Sequence, residues 1–147
     1  MIGVLIVTHG GLADELMAAA KVIAGEPKEG RLMALSLDWR IGLAEARERI
    51  AEAVAACDKG KGVLILTDMF GDTPSRAAFQ LHRPDSVEVV SGVNLPMVVR
   101  LVCSGTVGVG LSEAARAIAE KGRRSICIAS ERSQANDSNG QNRSDHG

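Results

Sequence analysis

Apolar positions along the chain fall into two alternating patterns: short unbroken runs, and longer stretches with a period of three to four. Ile2–Val7 is a short, nearly continuous apolar run, as a central parallel strand buried on both faces requires. Leu12, Leu16, Met17, Ala20 and Ile23 then recur at helical spacing, and Gly25 with Pro27 stops that helix. Leu32–Leu37 reads as a second strand. Leu43, Ala46, Ile50, Val54 and Cys57 line one face of a longer helix, with Glu45, Glu48, Arg49 and Glu52 off that face. Val63–Leu66 is a third buried strand. Pro74 is placed to open a short helix running to about His82, because proline suits the first helical turn and Arg83-Pro84 ends the pattern.

Val87–Val90 is a fourth strand, followed by Leu95–Cys103, a helix apolar nearly all round and broken only by Arg100. Such a helix needs cover on more than one side, which points to a subunit interface. Leu111–Lys121 is amphipathic and is expected to close at Gly122. Arg124–Ala129 alternates like an antiparallel edge strand. Beyond Ser130 only Ala135 is apolar, so the chain divides into a domain over residues 1–130 and a disordered polar tail over 131–147.

This alternation predicts a doubly wound α/β fold with helices on both faces of a mostly parallel sheet. The strand order is 2-1-3-4, plus an antiparallel edge strand. In such sheets the ligand crevice opens at the carboxyl ends of the strands, where strand order reverses. The loops after strands 1 and 3 then line it.

Composition narrows the function. The 147 residues carry 17 Lys+Arg against 18 Asp+Glu, a net charge of −1, without the basic excess of a nucleic-acid binder. Aromatic residues are 2% of the chain (Trp39, Phe70, Phe79), too few for a base-stacking platform. Cys57, Cys103 and Cys127 are odd in number and far apart, which reads as a reduced, cytoplasmic chain and not a disulfide scaffold or zinc site. No signal peptide or bilayer-spanning run is visible, so no direct membrane insertion is expected.

The chemistry gathers at the two predicted loops. Thr8-His9-Gly10-Gly11 ends strand 1, placing an imidazole on a rigid strand end beside glycines whose amides can approach an anion. Thr67-Asp68 ends strand 3 and leads into Met69-Phe70-Gly71-Asp72-Thr73-Pro74-Ser75. A carboxylate from Asp68 accepting from Nδ1–H would fix the tautomer and leave Nε2 free to attack. Thr73, as helix cap, with the Ser75 hydroxyl would form a second anion-binding helix start. A histidine packed at a strand end, a loop-capping aspartate and an ordinary helix start are the bland readings of the same residues. No metal cluster is needed by this chemistry, and no cofactor is expected.

Val7-Thr8-His9-Gly10 with Ala13, then Leu66–Gly71 with Thr73-Pro74-Ser75, and Gly92-Val93-Asn94-Leu95-Pro96-Met97 resemble the enzyme IIA component of the mannose-family sugar phosphotransferase system. The resemblance spans roughly residues 1–130. It implies a phosphoryl carrier in which His9 takes a phosphoryl group on Nε2 from the phosphocarrier HPr and hands it to a IIB component, with Asp68 orienting the ring. It also implies a homodimer that exchanges its last strand. Gly10, Gly11, Thr67, Phe70, Gly71, Thr73 and Ser75 are the expected phosphate-binding positions, and Trp39, Asn94 and Arg76 the expected rim or partner positions. Two residues depart from the family pattern. Asp72 replaces a glycine and is expected to point outward into solvent; Arg76 replaces an asparagine.

Other readings are weaker. A regulatory protein whose phosphorylation is sensed by a partner, without sugar transport, is the main alternative. The phosphotransfer subunit of dihydroxyacetone kinase shares the fold, but the Thr73–Ser75 and Gly92–Met97 motifs favour the IIA family. A receiver domain would need acidic residues where Thr8-His9 stands. Gly105–Gly110 echoes a dinucleotide loop but joins two helices.

Overall fold

The computed structural model describes residues 1–27, 32–106 and 108–132. Four strands, β1 (Gly3–His9), β2 (Leu32–Leu37), β3 (Val63–Thr67) and β4 (Val87–Ser91), alternate with α1 (Leu12–Ala24), α2 (Leu43–Cys57) and α3 (Thr73–Phe79); α4 (Leu95–Ser104) and α5 (Leu111–Arg124) follow. All strand pairs are parallel, in the order β2-β1-β3-β4. The chain therefore runs β1 to β2 on one side and returns to β3 on the other. The order reverses at β1, and its carboxyl end is the crevice the sequence pattern points to.

The pleat divides β1 between two cores. Ile2, Val4 and Ile6, with Leu64 and Leu66 of β3, pack against α1, α4 and α5. Leu5 and Val7, with Val63, Ile65 and Leu37, pack against α2 and α3. Both faces are apolar, which explains why these strands read as unbroken hydrophobic runs. Every residue of β3 is buried, and only His9 of β1 is not, so the functional end of the sheet is anchored on a dry, close-packed base.

Four expectations need correction. Thr73 does not cap α3: Asp72 does, its side chain accepting from Ser75 N, and Thr73 is the first helical residue. Helix α5 does not close at Gly122 but continues to Arg124. Gly122 is buried, and a Cβ there would lie 2.6 Å from Met97 Sδ, so this glycine is a contact surface for α4 and not a stop. Arg124–Ala129 forms no strand among the described residues. Arg124 ends α5, residues 126–128 pair with no strand among the described residues, Ile126 N donating only to Arg123 O, and 129–132 make a helical turn. Finally, the apolar girth of α4 is largely covered within the chain, by α1 and α5. The expected disordered tail, from 133 onward, lies outside the described residues.

Candidate functional site

His9 is the last residue of β1, and Asp68 is the first after β3. Because these strands pair in register, Val7 opposite Thr67, the two side chains emerge together at the reversal point. Asp68 Oδ2 accepts from His9 N at 3.0 Å and lies 3.3 Å from His9 Nδ1. One carboxylate oxygen thus fixes both the backbone and the ring of the histidine. Asp68 Oδ1 accepts from Met69 N at 3.0 Å, which pins the carboxylate itself. Burial works against charge on Asp68. The His9 N–H, the Asp72 carboxyl, the charge on His9 and the Met69 N–H outweigh it, and hold Asp68 below the usual carboxylate range.

Asp72 does not face solvent. Its Oδ1 accepts from Ser75 N at 2.9 Å as the cap of α3, and that bond turns the other oxygen inward. Oδ2 lies 3.0 Å from His9 Nδ1, with the side chain only 7% exposed and no hydrogen-bond partner of good geometry. Burial, and the neighbouring Asp68 carboxyl, push Asp72 upward from the ordinary aspartate value against the pull of the Ser75 N–H. The signal for this was in the sequence. Asp is among the strongest helix caps, and a capping side chain must turn back toward the helix start, here the crevice.

Trp39, in the β2–α2 connection, stacks on His9 with ring centroids 4.6 Å apart and planes 7° from parallel. It remains 73% exposed, so it forms an outer wall and not part of the core. Gly10 makes room for it: a Cβ there would lie 2.7 Å from Trp39 Nε1, and its φ of +53° suits glycine.

The other expected residues divide into two groups. Gly10 N donates to Leu37 O at 2.7 Å, Thr67 Oγ1 bonds Ser91 Oγ at 2.7 Å, and Ser75 Oγ lies 3.2 Å from Ser91 Oγ while accepting from Gly71 N. These groups stiffen the loop and are committed within the protein. Gly11 and Phe70 are exposed beside the histidine's strand end and Asp68, and Thr73 is half-buried at the start of α3. Asn94 caps α4, accepting from Met97 N, and donates to Gly122 O at 3.2 Å; it ties α4 to α5. Arg76 is exposed on α3 with no ion pair among the described residues.

His9 Nδ1 and one oxygen each of Asp68 and Asp72 lie within 4.8 Å of one another. Such a spacing suits shared protons or a cation. Nδ1 lies within 3.0–3.3 Å of both carboxylates, with the hydrogen bond on the Asp68 side, where Oδ2 also accepts from the His9 backbone N–H. Nε2, on the far edge of the ring, takes no hydrogen bond from the described residues.

The fold and site define a doubly wound α/β domain presenting one carboxylate-held histidine at its reversal point. The chain belongs to the phosphotransferase system (PTS) fructose/mannose IIA family: the model for the "PTS system fructose IIA component" matches residues 3–122. The mannose-specific EIIAB component of Escherichia coli (strain K12) is 30% identical over 130 residues, covering 85% of this chain and 38% of that protein. The chain thus spans well under half of that relative. The fructose-specific EIIA component of Bacillus subtilis (strain 168) is 31% identical over 103 residues, 69% of each chain. Among solved structures, the PTS IIA protein associated with the fucose utilization operon of Streptococcus pneumoniae superimposes with a TM-score of 0.75 at 26% identity, covering 88% of this chain and 94% of that one. Component EIIA from Streptococcus agalactiae gives 0.77 at 24% identity, covering 89% and 99%, a likeness of fold.

Proposed function

We propose that this chain is a phosphoryl carrier of a sugar phosphotransferase system, with HPr as donor and a IIB component as acceptor. The observation that supports it best is Asp68 on the Nδ1 side of His9: accepting from Nδ1–H, it would leave the lone pair on Nε2. In transfer, Nε2 forms a bond to phosphorus as the bond to the donor's histidine nitrogen breaks and its electron pair returns to that nitrogen. Handing on reverses the step with a new partner, and no atom of the carrier is consumed. A carrier must hold its cargo without trapping it. Arg76 is exposed and forms no ion pair with the cluster, and the nearby open groups are the backbone at Gly11 and the hydroxyl of Thr73, a mild anion site that suits reversible transfer.

Trp39, Met69 and Phe70 leave a strongly exposed apolar rim beside the histidine, the kind of surface a protein donor and acceptor would cover in turn. Cytoplasmic placement fits such partners, and no helix among the described residues is long and apolar enough to cross a membrane. Homodimerisation belongs to the same reading. Ile126 is 79% and Ile128 63% exposed on a segment that joins no strand among the described residues, as expected of a strand that pairs only with a second copy. Sedimentation of the purified chain should give twice the monomer mass, and truncation before Ile126 should abolish it.

The test of the carrier is direct. Phosphoenolpyruvate, enzyme I and HPr should label the chain with an acid-labile, base-stable phosphate, and His9→Ala should remove it. Label persisting in His9→Ala would reject the reading.

A further inference from the structure

We propose that Asp72 is a second positioning carboxylate for His9, and that it ties the readiness of Nε2 to the loss of one proton from the His9–Asp68–Asp72 cluster. This deepens the carrier reading and rests on it for its functional consequence, though not for its geometry.

Orienting a ring needs one acceptor on Nδ1, and Asp68 supplies it at 3.3 Å. Asp72 adds a second carboxylate to the same nitrogen at 3.0 Å. One N–H cannot point at both, and Asp72 Oδ2 is left buried without a well-directed donor. A buried carboxylate oxygen in that position is costly unless a proton or a positive ring compensates it. The cluster therefore holds a second proton beyond the one on Nδ1, either on Nε2 or on the Asp72 carboxyl. With that proton on Nε2 the lone pair is consumed. With it on Asp72 facing Nδ1, the ring is drawn toward the Nε2–H tautomer, which is equally unable to attack. When it departs to solvent, Nδ1–H lies between two carboxylates and Nε2 is free. The ring's heavy atoms stay where they are; only the proton count changes.

The groups facing Asp72 leave little else to set this balance. From β1 comes His9; from the end of β3, Asp68. Its own helix contributes the Ser75 N–H and no charged contact, since Arg76 faces solvent. From the β2–α2 connection comes Trp39, which is uncharged, and from β4 only the Ser91 hydroxyl, through Ser75. The upward displacement of Asp72 and downward displacement of Asp68 agree with a proton shared on the Asp72 side.

Asp72→Ser and Asp72→Asn test this, because both keep an acceptor for the Ser75 N–H while removing the negative charge. In ¹⁵N spectra of the His9 ring, the titration midpoint of the wild-type cluster should lie above that of either variant, by about one pH unit for a charge this close. The pH profile of HPr-dependent labelling should move the same way. On its acid limb, each variant should label about tenfold faster than wild type. A ring titration unchanged in both variants, or moved upward, overturns the proposal. If the ring titration moves as expected while no labelling occurs in any form, the carrier reading fails and the role of Asp72 in the cluster stands.

Discussion

Trp39 lies flat against His9, ring on ring, with centroids 4.6 Å apart. The contact does from one face what Asp68 does from the edge: it removes a rotational freedom from the imidazole before any partner arrives. Aromatic pairs of this geometry are worth about 0.5–1.5 kcal/mol. Trp39→Ala should therefore slow labelling of His9 by about two- to tenfold if that energy orients the attacking ring. Because Trp39 is largely exposed, thermal unfolding should move little. It is also the only tryptophan in the chain, so its fluorescence should change when His9 is phosphorylated and stay flat in His9→Ala.

Gly10 makes this stack possible, and its replacement has a definite sign. An alanine there meets two penalties, a left-handed backbone at φ +53° and a Cβ 2.7 Å from Trp39 Nε1. Strain of the first kind costs about 1–2 kcal/mol, and the indole must swing away to relieve the second. Gly10→Ala should lower the unfolding midpoint and also reproduce the slow labelling of Trp39→Ala. Combining the two substitutions should then add little to the rate defect, a non-additivity expected of residues acting through one contact.

Asp68 and Asp72 should respond to pH with opposite signs. Asp68 is held low, so it stabilises the fold above the unfolded aspartate value, and that stability is lost as pH falls through its folded value. Asp68→Asn should cost about 1–2 kcal/mol at neutral pH, with the gap closing in acid. Asp72 is held high, so its favourable share is present below the unfolded value and is lost as pH rises through the folded one. Asp72→Asn should then be at least as stable as wild type at neutral pH, with the advantage fading in acid. Urea titrations of both variants across the acid range would check the crossing. Labelling gives the second contrast: Asp68→Asn should slow it on the order of 10- to 100-fold through loss of the oriented tautomer.

The fold was legible because it depends on burial. Strands sealed on both faces, such as Val63–Thr67, must be apolar throughout, and amphipathic helices such as α2 must repeat at helical spacing. His9 with Asp68 was legible for a related reason, since two strand ends in one parallel sheet meet wherever strand order reverses. What escaped was decided by single side chains. Whether Asp72 turns outward or inward depends on one capping bond to Ser75. Whether Gly122 stops a helix or lets two helices touch depends on Met97 across the gap. Arg124–Ala129 has the alternation of a strand, but a strand needs a neighbour, and the chain offers it none among the described residues.

Asn94 separates a rim residue from a structural one. Its Oδ1 takes the Met97 N–H and its Nδ2 reaches Gly122 O, so one end of the amide caps α4 and the other ties it to α5. Loss of a helix cap costs about 1 kcal/mol, and loss of the tie to α5 adds to it. Asn94→Ala should lower the unfolding midpoint by a few degrees, whereas Asn94→Asp keeps the cap but sets a carboxylate oxygen against Gly122 O, so it preserves the helix start while loosening the tie to α5. If the amide serves packing alone, labelling of His9 measured well below the unfolding temperature stays within about twofold of wild type. A labelling defect larger than that in Asn94→Asp, which preserves the helix start, would put the side chain on the partner surface instead.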